Sequence, residues 1–360
     1  MTKNCLQKIF SIKNCKKKNG KVHKVITLLG VKVSFKKKNN NNKEIETIRQ
    51  EIDKLKNKNN QISAYCQYLK ILAECGGDIT KYPKAQGPMR LLQVVRAKGL
   101  VYLVSILNEY NIEYWLDYGT LIGAYRHQGL IPWDDDVDIS MDRQNYIKAK
   151  EILLKELDDT DFRLTFGEGK SAYFMKLKLD KFQLVDIFPN DYSDNETISY
   201  EDLYSDIRKA RDDFYEKFPV NDLKNGKINI DDTFDAMMDL YKSSGITKQH
   251  DKGKWIFRGL DSSTVNKEPS LHLVENVYPL RKVMYEGFEF LAPNKIYEHL
   301  NECLKKGYYG DVNKFPDFEA SRIHNGAISC SKQSYIDMLN KYNVLLDKYL
   351  KEKGIDYNIN

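Results

Sequence analysis

Four aspartates fall within the five residues of DDDVD (Asp134 to Asp138), at the head of an otherwise apolar stretch. The alternation in DDDVDISM, which ends at Met141, predicts a strand that is acidic on one side and apolar on the other. On such a strand the side chains of Asp134, Asp136 and Asp138 project to one face. Three carboxylates within about 7 Å of one another repel strongly unless a cation lies among them. Since oxygen ligands favour Mg²⁺ or Mn²⁺, the run predicts a metal site on a sheet.

The residues around the acidic run predict the rest of that site. A strand is predicted over Glu113 to Asp117, and Gly119 then opens a turn into a short helix from Leu121. Free backbone N–H groups in such a turn can hold a phosphate. Asp186, in LVDIF, is an acid in an apolar strand pattern, and it is costly to bury unless it too faces the metal.

The other predicted elements complete a mixed α/β sheet flanked by helices. Asp142 is a good N-cap for a helix that runs to about Leu157. The remaining elements are a helix over Arg96 to Tyr110 and strands over Tyr173 to Leu179 and Phe182 to Phe188. A phosphate-holding turn, a carboxylate pair on the next strand and a third acid further on form the layout of nucleotidyltransferase-fold sites.

Three blocks of the sequence resemble one known family. GTLIGAYRHQGLIPWDDDVDISM, from Gly119 to Met141, closely resembles the signature of the LicD (fukutin-like) family. VDIFP looks like the family's second acidic strand. YPLRKVMYEGFEFLAPNKIYEHL and YYGDVNKFP, within residues 278–316, look like its C-terminal block.

The resemblance implies a nucleotidyltransferase-like core with helical C-terminal additions. It implies transfer of a phospho-alcohol, such as phosphocholine or a polyol phosphate, from a CDP-linked donor to a sugar hydroxyl of a glycan or glycolipid acceptor. By matching positions, Asp136 and Asp138 form the metal pair and Asp186 is the third carboxylate. Asp134 joins them or contacts a second metal, and either Asp134 or Asp186 serves as general base. Gly119 and Thr120 hold the donor phosphate.

Four basic side chains near these motifs have two interpretations each. Arg126 suits a phosphate contact better than a structural role, whereas His127 is as well explained as a hydrogen-bonding strut. Lys176 and Lys178 alternate on one predicted strand, so they either reach the donor phosphates or line a solvated strand face.

The charge distribution predicts a separate basic arm. Residues 1–43 hold 13 lysines and no acidic residue, so the rest of the chain has more acidic than basic side chains. Anionic lipid is one candidate partner for the arm, and a solvated tail is the alternative. Nucleic acid is not expected, because the arm lacks arginine and carries few aromatic residues. Six scattered cysteines, no signal peptide and no apolar run of about 20 residues predict a cytoplasmic protein.

The predicted organisation has three parts. The basic arm (1–43) contains a hairpin over Lys24 to Phe35 and a linker. Residues 44–75 have a heptad pattern, which predicts either a coiled coil that forms a homo-oligomer or a helix packed on its own chain. The catalytic domain is residues 76–360, with its core at about 96–190 and its acceptor part at about 191–330.

Two other functions use the same features. A true nucleotidyltransferase or a glycosyltransferase also uses a metal-bound nucleotide donor, and each leaves a different group on the acceptor. A non-catalytic assembly factor, in which the arm and the heptads are the working parts, would need no metal.

Overall fold

The computed structural model describes residues 10–16, 22–28, 31–36, 51, 73–166, 174–219, 222, 227–228, 230–247, 253–262, 270–304, 332–357 and 359. The chain forms two compact units, Met1–Ile62 and Ser63–Asn360. Most of the heptad segment, the linker after residue 36 and the block at 308–316 lie outside the described residues, so the predictions made for them stay predictions.

The N-terminal unit contains three antiparallel strands. They are β1 (Phe10–Lys16), β2 (Val22–Leu28) and β3 (Val31–Lys36), with β2 in the centre. Leu28 pairs with Val31, so β2 and β3 are joined across two residues at the predicted hairpin. β-branched residues favour strands here, and β1 is a third strand that the sequence did not predict.

The second unit is built around one long buried helix, α1 (Gly87–Glu109). The predicted stripe of Leu100, Leu103, Val104 and Leu107 is fully buried. The helix starts nine residues before the predicted Arg96, with a proline in its first turn, where its missing N–H costs nothing.

Burial on all sides explains why the start of α1 was missed. From 92 to 107 every residue except Ser105 is buried, including Gln93, Arg96 and Lys98. The Gln93 amide donates to Ile131 O at 3.0 Å and Lys98 Nζ donates to Asn343 Oδ1 at 2.7 Å, so these two polar side chains are paired inside the protein. By length and composition α1 could cross a membrane, contrary to the sequence prediction, but 83% of its apolar window is buried within the fold.

A seven-stranded mixed sheet carries the site. Its main order is β10-β9-β8-β5-β4, with β7 paired to β8 and β6 paired to β7. The strands are β4 (Trp115–Leu116), β5 (Asp138–Asp142), β6 (Phe162–Phe166), β7 (Met175–Leu179), β8 (Phe182–Ser193), β9 (Trp255–Arg258) and β10 (Leu271–Leu273). β5 and β8 are parallel, and the other pairs are antiparallel. The predicted mixed α/β class is confirmed.

Helices cover this sheet and extend it. They are α2 (Tyr118–His127), α3 (Arg143–Glu156), α4 (Tyr200–Lys217), α5 (Ile230–Ser243), α6 (Val274–Val277), α7 (Ile296–Leu304) and α8 (Gln333–Glu352). Asp142 caps α3 as predicted, accepting from Asn145 N at 2.9 Å. The main core joins α1, α3 and α8 to the sheet, and a second core forms around α4, α5 and β9.

A buried glutamate ties the C-terminal hairpin to the loop that leads into the acidic run. The hairpin is β11 (Arg281–Tyr285) and β12 (Phe288–Ala292). At its turn, Glu286 accepts hydrogen bonds from Arg90 at 2.7 and 3.0 Å and from Leu130 N at 2.9 Å. Burial raises the pKa of this carboxyl, but hydrogen bonds and the charge of Arg90 outweigh it and leave the pKa below its ordinary 4.5.

We expect Glu286→Gln to lower the free energy of unfolding by about 3 kcal/mol at pH 7, because it leaves the Arg90 charge buried without its partner. The folded pKa of Glu286 is depressed, so its contribution is present above 4.5 and is lost as the pH falls through the folded pKa. Urea unfolding at pH 7 and at lower pH measures both effects.

Glu289→Gln is the matched control on the same hairpin. Its partner Lys282 is 69% exposed, and an exposed pair contributes about 1 kcal/mol at most. If the two substitutions lower the free energy of unfolding equally, Glu286 does not hold the hairpin more strongly than an exposed ion pair would.

Candidate active site

The turn after β4 brings a glycine against the acidic run. Asp117 caps α2 and accepts from Tyr118 N at 2.9 Å and from Ser140 Oγ at 2.6 Å. A Cβ at Gly119 would lie 2.6 Å from Asp134 Oδ2. Only glycine leaves room for this carboxylate, so the predicted bend and the predicted acids do lie side by side.

The acidic run is not one strand, so the strand predicted over Asp134 to Met141 is wrong for residues 134–137. β5 begins at Asp138, and residues 134–136 form an irregular segment before it. Asp134 N donates to Ile131 O at 2.9 Å. The Gln93 amide donates to Ile131 O at 3.0 Å and to Asp134 O at 2.9 Å. These carbonyls are therefore held by a helix side chain instead of a strand ladder.

The carboxylates nevertheless converge. Asp134, Asp135 and Asp136 each place one oxygen within 4.8 Å of the others. Asp138 pairs with Asp186 across the parallel β5 and β8. The charge of Asp136 acts on both Asp138 and Asp186, which links the two groups. Asp135 is an acid that the strand interpretation left out, although the sequence run contains it.

The electrostatics of this cluster favour a bound cation. Burial raises the pKa of the Asp138 carboxyl well above its ordinary value, and the charges of Asp136 and Asp186 add to the rise. Burial also raises the pKa of Asp186 to about 6, against the opposing charge of Lys176. The cluster consists of oxygen ligands and carries more negative charge than its neighbours offset. It therefore has the chemistry of a Mg²⁺ or Mn²⁺ site.

The predicted phosphate-binding residues divide into those near the Asp138–Asp186 pair and those at the far end of α2. Lys176 Nζ lies 3.4 Å from Asp186 Oδ1, and Asp186 also acts electrostatically on Lys178. The buried Thr120 hydroxyl accepts from Asp138 N at 2.8 Å, so it fixes the start of β5. Arg126 and His127 lie at the other end of α2, roughly 10 Å along the helix axis from Gly119.

Arg258 is a functional candidate that the sequence did not predict. Arg258, at the end of β9, lies 4.0 Å from the Tyr118 ring centroid and 3.8 Å from that of Phe188. Its charge acts on Asp138. No recognisable motif lies near it in the sequence, where it is an arginine directly after the apolar run WIF.

Comparison with known proteins gives a family match over this region. A family model described as LicD/FKTN/FKRP, nucleotidyltransferase domain, matches residues 111–230. That range includes Gly119, the acidic run and Asp186.

Named relatives align over different lengths. The lipopolysaccharide cholinephosphotransferase LicD of Haemophilus influenzae is 27% identical over 278 residues, which is 66% of this chain and 96% of that protein. An uncharacterised Rickettsia typhi protein is 30% identical over 148 residues, 38% of this chain and 41% of that protein. The human ribitol 5-phosphate transferase FKRP is 48% identical over 40 residues, 11% of this chain and 8% of that protein.

We expect Gly119→Ala to weaken Mn²⁺ binding at least 10-fold, because the new methyl group displaces the Asp134 carboxylate. The cost in stability should stay near the lower end of the roughly 1–3 kcal/mol typical of overpacking, since a side-chain terminus moves and not the backbone. Calorimetric titration with Mn²⁺ and thermal unfolding measure the two effects.

Gly123→Ala, on the same helix, is the control. Its Cβ would meet the Gly129 carbonyl oxygen, so it should lower stability more than Gly119→Ala does. If Gly119→Ala binds Mn²⁺ as the unsubstituted protein does, the proximity of Gly119 and Asp134 has no role in the site.

Proposed function

We propose that this chain, which belongs to the LicD family of phosphotransferases, transfers a phospho-alcohol group from a nucleotide-linked donor to a sugar hydroxyl of a glycan precursor. The observation that carries the proposal is an acidic cluster beside the Gly119 turn: Asp134 lies against Gly119, Asp138 pairs with Asp186 across β5 and β8, and the charge of Asp136 acts on both of the paired acids.

The activities of two relatives guide the choice of substrate class. One is a cholinephosphotransferase of lipopolysaccharide, and the other is a ribitol 5-phosphate transferase. Both names describe an alcohol that is moved with its phosphate. A CDP-linked donor is the finer part of the proposal and follows from the family resemblance of the block from Gly119 to Met141. The alignment with the Haemophilus protein, over 66% of this chain and 96% of that protein, supports a phosphotransferase reaction of the same class.

The proposed cofactor is Mg²⁺ or Mn²⁺, held by Asp136, Asp138 and Asp186. Asp134 and Asp135 lie next to this group and would hold a second ion or orient the first. When bound, the cation neutralises charge on the donor phosphates as the phosphoryl group transfers.

The side chains of this protein would orient the donor and remove a proton from the acceptor. The N–H groups at the start of α2 suit a phosphate oxygen, and Lys176 offers a positive charge next to Asp186. The sugar oxygen bonds to the donor phosphorus that carries the alcohol, and the bond from that phosphorus to the bridging oxygen of the pyrophosphate breaks. The nucleoside monophosphate leaves, and the sugar hydroxyl loses its proton. Asp186 and Asp134 are the two carboxylates proposed to receive that proton.

We expect Asp138→Asn to lower turnover of a CDP-alcohol by at least about 10³-fold while the protein stays folded, because the substitution removes a ligand charge from the centre of the cluster. Asp159→Asn, on an exposed turn after α3, is the control and should retain full activity. Donor consumption with and without Mg²⁺, together with circular dichroism, tests the expectation. Retained turnover in Asp138→Asn would remove the metal-pair assignment.

The mass of the modified acceptor separates the candidate reactions. A gain of one phospho-alcohol supports the proposal. A gain of a nucleotide or of a bare sugar would indicate a nucleotidyltransferase or a glycosyltransferase.

The basic arm is proposed to dock the enzyme on an anionic membrane at the cytoplasmic side, near a lipid-linked acceptor. Its lysines each contribute about 1 kcal/mol close to such a surface. Self-association through 44–72 remains a separate proposal, supported by the heptad pattern alone.

We expect the full-length protein to float with anionic liposomes and a variant lacking residues 1–43 to remain in the soluble fraction. Binding by the full-length protein should weaken as salt rises, because the attraction is screened. Neutral phosphatidylcholine liposomes are the control surface. Equal flotation of both proteins would exclude the arm as the docking element.

A further inference from the structure

Arg258 lies on the same face of the sheet as the acidic cluster. Directly paired residues in a sheet project to one side, as do residues two apart on a strand. Asp138 pairs with Asp186, Asp186 shares a face with Phe188 and Asn190, and Asn190 pairs with Arg258. β8 thus carries one continuous face from the acids to Arg258.

Two aromatic rings contact the guanidinium of Arg258. The Tyr118 and Phe188 ring centroids lie 4.0 and 3.8 Å from its central carbon, and the two rings are inclined at 62° to each other, so the guanidinium is held by two cation–π contacts. Tyr118 has φ 47, a left-handed conformation that is strained for a non-glycine residue. A strained residue that contacts the guanidinium is consistent with a positioned functional group.

The buried donors on this face are only partly used. Nε and Nη2 of Arg258 and Nδ2 of Asn190 are buried and have no hydrogen-bond acceptor within the described parts of the chain. Asp117 Oδ2 lies 3.8 Å from Arg258 Nη2, which offsets its charge but exceeds hydrogen-bond distance. The Asp117 carboxylate already accepts from Ser140 Oγ and Tyr118 N.

An anion with several acceptor oxygens would satisfy these donors. Phosphate matches the planar, forked geometry of a guanidinium better than a single carbonyl does. Lys176 pairs opposite Asp186 on β7, and Arg258 pairs opposite Asn190 on β9. The two cations therefore follow the same edge of β8, with Phe188 between them.

We infer that Arg258, with Asn190 beside it, binds a phosphate oxygen of a pyrophosphate-containing ligand whose other phosphate lies at the acidic cluster near Lys176. The inference rests on the proposed function in that the donor is taken to carry a pyrophosphate. It adds Arg258 and Asn190 to the residues that the sequence predicted for the site.

The test is calorimetric titration of the full-length protein with inorganic pyrophosphate at saturating Mg²⁺. We expect Arg258→Met to raise the Kd at least about 10-fold, and Arg258→Lys to raise it less, since lysine keeps the charge but loses the fork. Asn190→Asp should also raise the Kd, because it places a carboxylate against the phosphate. Arg163→Met, on the exposed side of β6, is the matched control and should bind normally.

A second measurement separates phosphate binding from a structural role. Titration with Mn²⁺ alone should give the same affinity, or a tighter one, in Arg258→Met, because a positive charge near the cluster has been removed. If Arg258→Met, Arg258→Lys and Asn190→Asp each lose both Mn²⁺ binding and pyrophosphate binding, Arg258 and Asn190 only support the fold. That result would overturn the inference.

The remaining outcomes also decide the question. A Kd for pyrophosphate that is unchanged in Arg258→Met, or an absence of binding by the unsubstituted protein, overturns it. Arg258-dependent pyrophosphate binding without transfer of a phospho-alcohol would support the inference and count against the proposed function.

Discussion

The parallel pairing of β5 with β8 is the constraint on which the site depends. It sets Asp138 opposite Asp186, at the roughly 4.8 Å spacing of neighbouring strands. Two carboxylates at that spacing, Asp186 buried and Asp138 partly buried, repel each other unless positive charge is nearby. Lys176, opposite Asp186, and Arg258, further along the same edge of β8, supply part of that charge. The remaining negative charge is what makes the cluster suited to a divalent cation.

Residues distant in sequence hold the acidic segment in register with that strand pair. Gln93 binds two carbonyls of the segment from α1, and Glu286 binds Leu130 N from the C-terminal hairpin. Thr120 receives the N–H of Asp138. A loop of consecutive aspartates would spread apart in water, so its shape depends on these polar contacts more than on its own sequence.

Local patterns in the sequence predicted the parts of the fold that depend on neighbouring residues. The Asp142 cap, β7, β8 and the hairpin of β2 and β3 are of this kind, as is the approach of Gly119 to the acids. The irregular segment at Asp134 was predicted as a strand, because its conformation is imposed by Gln93, some 40 residues earlier. The sequence did not identify Arg258 as a candidate, because the rings of Tyr118 and Phe188 contact its guanidinium only in the folded protein.

The burial of α1 on every side affects how this protein can vary. A surface helix accepts most substitutions along its solvent stripe, but α1 has no such stripe between Leu92 and Leu107, apart from Ser105. Its polar members are paired within the fold, so exchanging Gln93 or Lys98 disturbs a contact as surely as exchanging a leucine. Divergence along α1 should therefore be slow and without helical periodicity.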